Sequence, residues 1–115
     1  MANDITLEIE ESYTIRGRGL MLVPKDFLFV TPKGVPKPFS NQVVLVKPDG
    51  TCEDVECQFL IEHSSLASKH GGRYDRYSLV LLLPEKPETN LPVGSQIRVS
   101  ESVLSLMKNL VERLA

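Results

Sequence analysis

The chain has 115 residues, 42% hydrophobic and 24% charged, which is the usual make-up of one soluble globular domain. Its net charge of -2 excludes general polyanion binding over the whole surface. The first residues are acidic, unlike a secretory leader, and the longest apolar run, 79–83, is too short to span a bilayer. Two cysteines cannot frame a disulfide-rich fold, so we expect a cytoplasmic protein with no membrane contact.

The first half of the chain consists of short apolar runs separated by turn residues, which is typical of β-strands. Around Arg18, Gly17 and Gly19 form a Gly-Arg-Gly step that predicts a tight turn between the first two runs. The predicted strands of this half are 5–15, 20–23, 27–30 and 43–46, with a proline-rich loop at 31–41.

The second half continues the pattern. The order Pro48, Asp49, Gly50 suits a β-turn and predicts a hairpin between 43–46 and the alternating run that follows. The predicted segments are a strand at 55–61, a polar loop at 64–75, a strand buried on both faces at 77–83, an extended segment at 84–92 and a last strand at 96–99.

The C-terminal segment changes period. Its apolar residues recur at helical spacing and predict an amphipathic helix over 101–115, capped by Ser100 or Ser102. The predicted apolar face comprises Val103, Leu106, Met107, Leu110, Val111 and Leu114. We expect this face to pack across an open end of the sheet, with binding to a second copy or a partner as the alternative.

Six to seven short strands closed by one helix predict a mainly β fold, a small antiparallel β-barrel with a C-terminal α-helix. The chain shows no internal repeat and no domain boundary. We therefore predict a single domain over 1–115, with the barrel at 5–100 and the helix at 101–115.

The run Ser-Tyr-Thr-Ile-Arg-Gly-Arg-Gly at 12–19 resembles the opening of the second domain of translational GTPases, the elongation factor Tu type of β-barrel. Further similarities follow in the same order at 43–46, 54–66, 79–83 and 90–99. The resemblance implies a translation-protein-like barrel over residues 5–100. A proline-rich stretch from Pro24 to Pro38 departs from it, and no Gly-x-x-x-x-Gly-Lys-Ser/Thr motif is present, so it implies a stand-alone barrel without GTP hydrolysis.

Two groups of residues are candidates for binding. Arg16 and Arg18 flank the turn glycine, where planar guanidinium groups could hold a phosphate or a carboxylate. A second group lies around Gly71 and Gly72, where basic and aromatic residues together could bind single-stranded nucleic acid. Its candidate members are Lys69, Arg73, Tyr74 and Arg76. Solvated turn and loop residues are the alternative interpretation of both groups.

The sequence offers no catalytic or metal constellation. Cys52 and Cys57 are five residues apart, which sends their side chains to opposite faces of a strand, and we expect one in the turn and one in the core. His63 and His70 share a polar loop with serines and Asp75, but no nucleophile-elbow sequence accompanies them. We therefore predict no catalysis, no cofactor and no bound metal.

Three functions remain open. The leading hypothesis is a non-enzymatic binding module that contacts RNA or a ribonucleoprotein through the basic residues, because residues 12–52 carry six bases against two acids. The second is a protein-protein interaction or homodimerising module that uses the helix or the apolar segment 27–29. The third is a small hydrolase or ligand-binding barrel, for which the sequence shows no convergent polar group.

Overall fold

The computed structural model describes residues 4–34, 37–67, 71–84 and 91–114. The elements are β1 (Asp4–Ile15), β2 (Gly19–Pro24), a 3₁₀ helix (Lys25–Phe27), β3 (Val30–Pro32), β4 (Phe39–Val46), β5 (Cys52–Ala67), β6 (Arg73–Leu83), β7 (Gln96–Ser100), α1 (Glu101–Asn109) and β8 (Val111–Leu114).

Six strands form a closed antiparallel barrel in the order β1-β2-β6-β5-β4-β7, and β7 pairs back onto β1. The predicted fold class, a mainly β antiparallel barrel with a C-terminal helix, is confirmed. The β4–β5 hairpin is confirmed as well: Gly50 N–H donates to the Lys47 carbonyl at 2.9 Å, and Asp49 accepts from Thr51 N–H. Strands β3 and β8 form a separate two-stranded sheet.

Strand β1 changes both its partner and its buried face near Glu10. Its first half pairs with β7 and its second half with β2, and a register shift between Ile9 and Glu11 separates the halves. Ile9 packs on the barrel interior, whereas Tyr13 stands opposite Met21 on the other face of the sheet. A β-bulge adds one residue to one strand, which is why the alternation seen in the sequence does not keep to one face.

The wall formed by β2 and β6 is buried on both of its faces. Its inward side chains belong to the barrel core around Phe59 and Ile97. Its outward side chains form a second, smaller cluster: Met21, Val23, Val80 and Leu82. Leu28, Leu60 and Ile15 pack over that cluster, and Ser78 donates a hydrogen bond to the Leu28 carbonyl. The prediction that 77–83 is buried on both sides therefore holds from Ser78 to Leu83, while Tyr77 is exposed.

Three predicted segments differ in the structure. The loop predicted at 31–41 is shorter, because β3 extends to Pro32 and β4 begins at Phe39, where pairing with β8 and β5 outweighs the prolines and polar residues. The polar stretch at 64–75 was predicted to be a loop, but β5 extends to Ala67 and β6 begins at Arg73. The reason is pairing across the hairpin, which continues to the register pair Ala67–Arg73 despite the polar side chains. Likewise the short strand predicted at 27–30 is a 3₁₀ helix at Lys25–Phe27 followed by β3.

The C-terminal helix is shorter than predicted. It ends at Asn109, and Val111–Leu114 pairs as a strand with β3 instead of continuing the helix to 115. The apolar positions fit a helix, but the Leu110 carbonyl accepts from Lys33 N–H at 3.0 Å and the chain turns into β8. The N-terminal cap is Ser100, whose hydroxyl accepts from Val103 N–H at 3.2 Å.

The helix packs its apolar face against the barrel core, as expected. Val103 and Met107 are fully buried among the residues that line the barrel, and Leu104 packs against the same core. Leu106 keeps 44% of its surface exposed.

We expect Gly19→Ala to destabilise the fold far more than Gly17→Ala. Gly19 has φ +124°, and a Cβ there would stand 2.5 Å from the Leu83 carbonyl oxygen, whereas Gly17 has φ +81° and open space around it. The clash adds to the backbone strain, so we expect a loss of about 3 kcal/mol at Gly19 against about 1 kcal/mol at Gly17. Urea unfolding measures both; equal losses would contradict the close approach of β2 to β6.

Candidate binding surface

The outer face of the barrel carries a group of charged and aromatic side chains, which we call the outer-face cluster. The bulge in β1 brings two of them to this face, and the β1–β2 turn, β5, β6 and the segment before β3 each supply one of the others. Its members are Glu11, Tyr13, Arg18, Phe29, Glu62 and Arg76.

Arg76 is held by two groups in this cluster. Its guanidinium donates two hydrogen bonds to the Glu11 carboxylate, at 3.0 and 3.1 Å, and lies 5.8 Å from the centroid of the Phe29 ring. Only 18% of the Arg76 side chain is exposed, and its buried Nε has no hydrogen-bond partner among the described residues. The two-point pairing with a carboxylate fixes this arginine in place and neutralises its charge.

Arg18 lies at the turn between β1 and β2 and reaches Glu62 on β5, with 3.7 Å between Nη1 and Oε1. Tyr13 lies within electrostatic range of both ion pairs. Burial raises the pKa of its hydroxyl, and the carboxylates of Glu62 and Glu11 raise it further, against a smaller opposite effect of the two arginines. Tyr13 therefore presents a protonated hydroxyl at neutral pH, a hydrogen-bond donor on a ring that is 41% exposed.

The structure brings together only part of the predicted binding residues. Arg18 and Arg76 share the outer face near Tyr13. Arg16 is exposed in the same turn as Arg18, and Arg73 is exposed where β6 begins. Tyr74 occupies the register position opposite Leu66, and Lys69 lies outside the described residues.

Sequence reasoning missed the other members of the cluster. Phe29 lies in the predicted strand 27–30 and Tyr13 in the predicted strand 5–15, and neither was named as a binding residue, yet each is 41% exposed beside an arginine. The acidic partners were missed because Glu11 and Arg76 are far apart in the chain. No local spacing signals such a pair; only strand register reveals it.

A second candidate region lies along the inner face of the β5–β6 hairpin, beyond the end of β4. His63 Nε2 is 2.8 Å from the Asp75 carboxylate, and the His63 ring stacks at a tilt on Tyr77, with centroids 4.9 Å apart. Ser64 is the next residue in the strand, so its side chain takes the opposite face of β5. The histidine and aspartate of the serine-histidine-aspartate pattern thus meet, but Ser64 does not join them, and His70 lies outside the described residues.

These side chains border an open groove of about 530 Å³. We call it the edge groove, and it is lined by Pro32, Gly34, Pro38, Leu60, Ile61, His63 and Tyr77. Next to the groove residues Pro38 and Leu60, the Phe39 ring stacks on Phe59 with centroids 4.5 Å apart and planes at 6°.

Cys57 is buried in the core, as predicted for one of the cysteines, and Cys52 is exposed at the first residue of β5, directly after the turn. Burial raises the pKa of the Cys57 thiol far above its ordinary value. Across the described ranges, no group of three or more His, Cys, Asp or Glu side chains has the arrangement of a metal site.

The chain matches no protein-family model, no curated protein and no solved structure. In the part of the chain that the structure describes, no helix is both long and apolar enough to cross a membrane. The likeness to the second domain of translational GTPases thus stays a prediction from the sequence.

We expect Glu11→Gln to lower the free energy of unfolding by about 1–2 kcal/mol, because it removes the charged partner of a mostly buried arginine. Glu8→Gln is the matched control. Glu8 pairs with Lys25 at 3.7 Å, both side chains are largely exposed, and such pairs contribute less than about 0.5 kcal/mol. Chemical denaturation measures the free energy of unfolding of both variants. Equal losses would show that the Glu11–Arg76 pair contributes no more than an exposed ion pair.

Only Cys52 should react with a thiol reagent in the folded protein at pH 8. The thiolate is the reactive form, and burial of Cys57 suppresses both its ionisation and its access. Titration with dithionitrobenzoate should give one fast thiol in the native state and two in denaturant. A fast second thiol in the native state would contradict a closed barrel interior.

Proposed function

We propose that the protein is a non-enzymatic binding module that contacts single-stranded RNA, alone or within a ribonucleoprotein, through the outer-face cluster. The observation that carries this proposal is the pairing of two half-exposed rings, Tyr13 and Phe29, with the guanidinium groups on the same face. Exposed rings next to arginines provide a surface on which unpaired bases can stack.

The charges of the cluster define how such binding would work. Glu62 and Glu11 neutralise Arg18 and Arg76, so the cluster itself has no net charge. Arg16, in the same turn, is exposed and forms no ion pair with the described residues. Stacking of bases on the rings therefore supplies most of the proposed affinity. Arg16, together with Arg18 once it has left Glu62, supplies the contacts to phosphate.

The resemblance of 12–19 to the barrel of translation factors supports an RNA-related role for the proposal. The alternative is a protein partner or a homodimer at the C-terminal helix, and it is supported by a smaller exposed apolar surface. Val103 and Met107 are buried in the chain's own core, which leaves Leu106 as the exposed apolar side chain of α1.

The test is binding of a fluorescently labelled oligouridylate, followed by anisotropy at two salt concentrations. We expect Glu62→Gln to tighten binding about threefold to tenfold, because it frees Arg18 and removes a repelling charge. Arg16→Ala combined with Arg18→Ala should weaken it about tenfold and make it less sensitive to salt.

Lys108→Ala, in the last turn of α1, is the control for a change in net charge and should leave binding unchanged. Absence of binding by the native chain, or affinities that do not respond to either substitution at the cluster, would refute RNA contact at this face.

A further inference from the structure

The hairpin of β5 and β6 extends beyond the barrel wall that supports it. Strand β5 runs from Cys52 to Ala67, but β4 pairs only with its first half and reaches no further than Phe59. From Leu60 to Ala67 the strand has β6 on one side and no strand on the other among the described residues. No backbone hydrogen bond from another described segment reaches this stretch.

An unpaired strand edge presents backbone N–H and C=O groups at every second residue. In the first half of β5 these groups pair with β4, which enters directly after Pro38. In the second half the position of a neighbouring strand is taken by the edge groove, whose far wall is made by Pro32, Gly34 and Pro38. A proline has no N–H to donate, so Pro32 and Pro38 cannot supply donors for strand pairing with β5.

We propose that the edge groove binds an extended peptide segment of a partner protein, which adds to the barrel as a strand along Leu60–Ala67. The backbone of the peptide would pair with the free edge of β5. Its alternate side chains would enter the groove and contact Ile61 and the ring of Tyr77. In this mode of recognition, main-chain hydrogen bonds supply affinity and the groove supplies specificity.

The charges around the groove define the chemistry of the peptide. In the chain, Lys33 precedes the groove residue Gly34 and Lys37 precedes the groove residue Pro38. Both lysines are exposed. Neither forms an ion pair with a described acidic side chain. Across the groove, Asp75 is engaged by His63. The segment that contributes Pro32, Gly34 and Pro38 to the groove therefore carries positive charge, and the preferred peptide is acidic on the side that faces this segment.

The two sites use different faces of the hairpin, because His63 and Tyr77 line the groove from the inner face, whereas Glu62 of the outer-face cluster, although in the same stretch of β5, lies on the outer face. The free edge from Leu60 to Ala67 is about 25 Å long, which is the length of an extended peptide segment of about eight residues. The two surfaces together would make the protein an adaptor, with RNA on one face and a polypeptide on the other.

In the experiment, a library of displayed random peptides of about nine residues is selected for binding to the immobilised full chain. The selected peptides are then synthesised, and their affinities for the chain are measured. We expect sequences that alternate apolar residues with Asp or Glu. Lys33→Glu combined with Lys37→Glu should weaken their binding at least tenfold. The matched control is Lys47→Glu combined with Lys108→Glu, which changes the net charge equally but at the β4–β5 turn and in α1, away from the groove, and should have no effect.

Hydrogen exchange then distinguishes strand addition from contact by side chains alone. Bound peptide should slow the exchange of alternate amides between residues 60 and 67, and a peptide N-methylated at alternate positions should lose both the protection and the binding. Selected peptides without acidic residues, or protection elsewhere, would overturn the proposal. Protection that grows with protein concentration in the absence of peptide would identify a second copy as the occupant and would also overturn it.

A second measurement adds the labelled oligouridylate to the complex of chain and peptide. Displacement of the peptide by the RNA would show that the groove is the RNA site, which contradicts two separate surfaces. Binding of peptide with no binding of RNA would refute the proposed RNA function and leave the peptide site standing.

Discussion

Closure of the barrel depends on the way strand β1 divides its pairing. Its first half hydrogen-bonds to β7 and its second half to β2, so this one strand joins the two ends of the sheet. The register shift between Ile9 and Glu11 marks the change of partner. A bulge increases the local twist and bends the strand, which is what a sheet of six strands needs in order to close upon itself. A closed sheet has no edge strand along its length.

The same bulge creates the outer face on which the proposed RNA surface lies. After it, Glu11 and Tyr13 face away from the barrel interior and stand above the outward side chains of β2. A sheet that is half-buried normally exposes polar side chains on its outer face. Here the outer face contains a second apolar cluster around Met21 and Val80, and the paired charges form its border.

The edge groove follows from unequal strand lengths. Strand β5 is twice as long as β4, so the sheet is fully closed at one end and reduced to a two-stranded hairpin at the other. Proteins usually protect such an edge with charges, prolines or a covering segment. The segment opposite this edge contributes prolines and a glycine but leaves an open groove, and this combination is the basis for proposing strand addition by a partner.

The sequence by itself determined the local features of this protein. Period-two alternation predicted β1 and the first part of β5, and short apolar runs predicted β2 and β4. The order Pro48-Asp49-Gly50 predicted the hairpin turn between β4 and β5, and the helix cap was expected at Ser100 or Ser102. These features depend on residues close together in the chain, where spacing and turn chemistry are sufficient. The mainly β class and the barrel followed from the number and the separation of the strands.

Only the tertiary structure decided the features that depend on pairing between distant segments. The polar hairpin at 64–75 and the end of α1 at Asn109 were missed because strand pairing with β6 and β3 outweighs local pattern. The pairing of Arg76 with Glu11 joins β6 to β1, and the edge groove joins β5 to the segment after β3. No sequence spacing encodes such contacts, because a shift of one residue in register would turn each of these side chains to the opposite face.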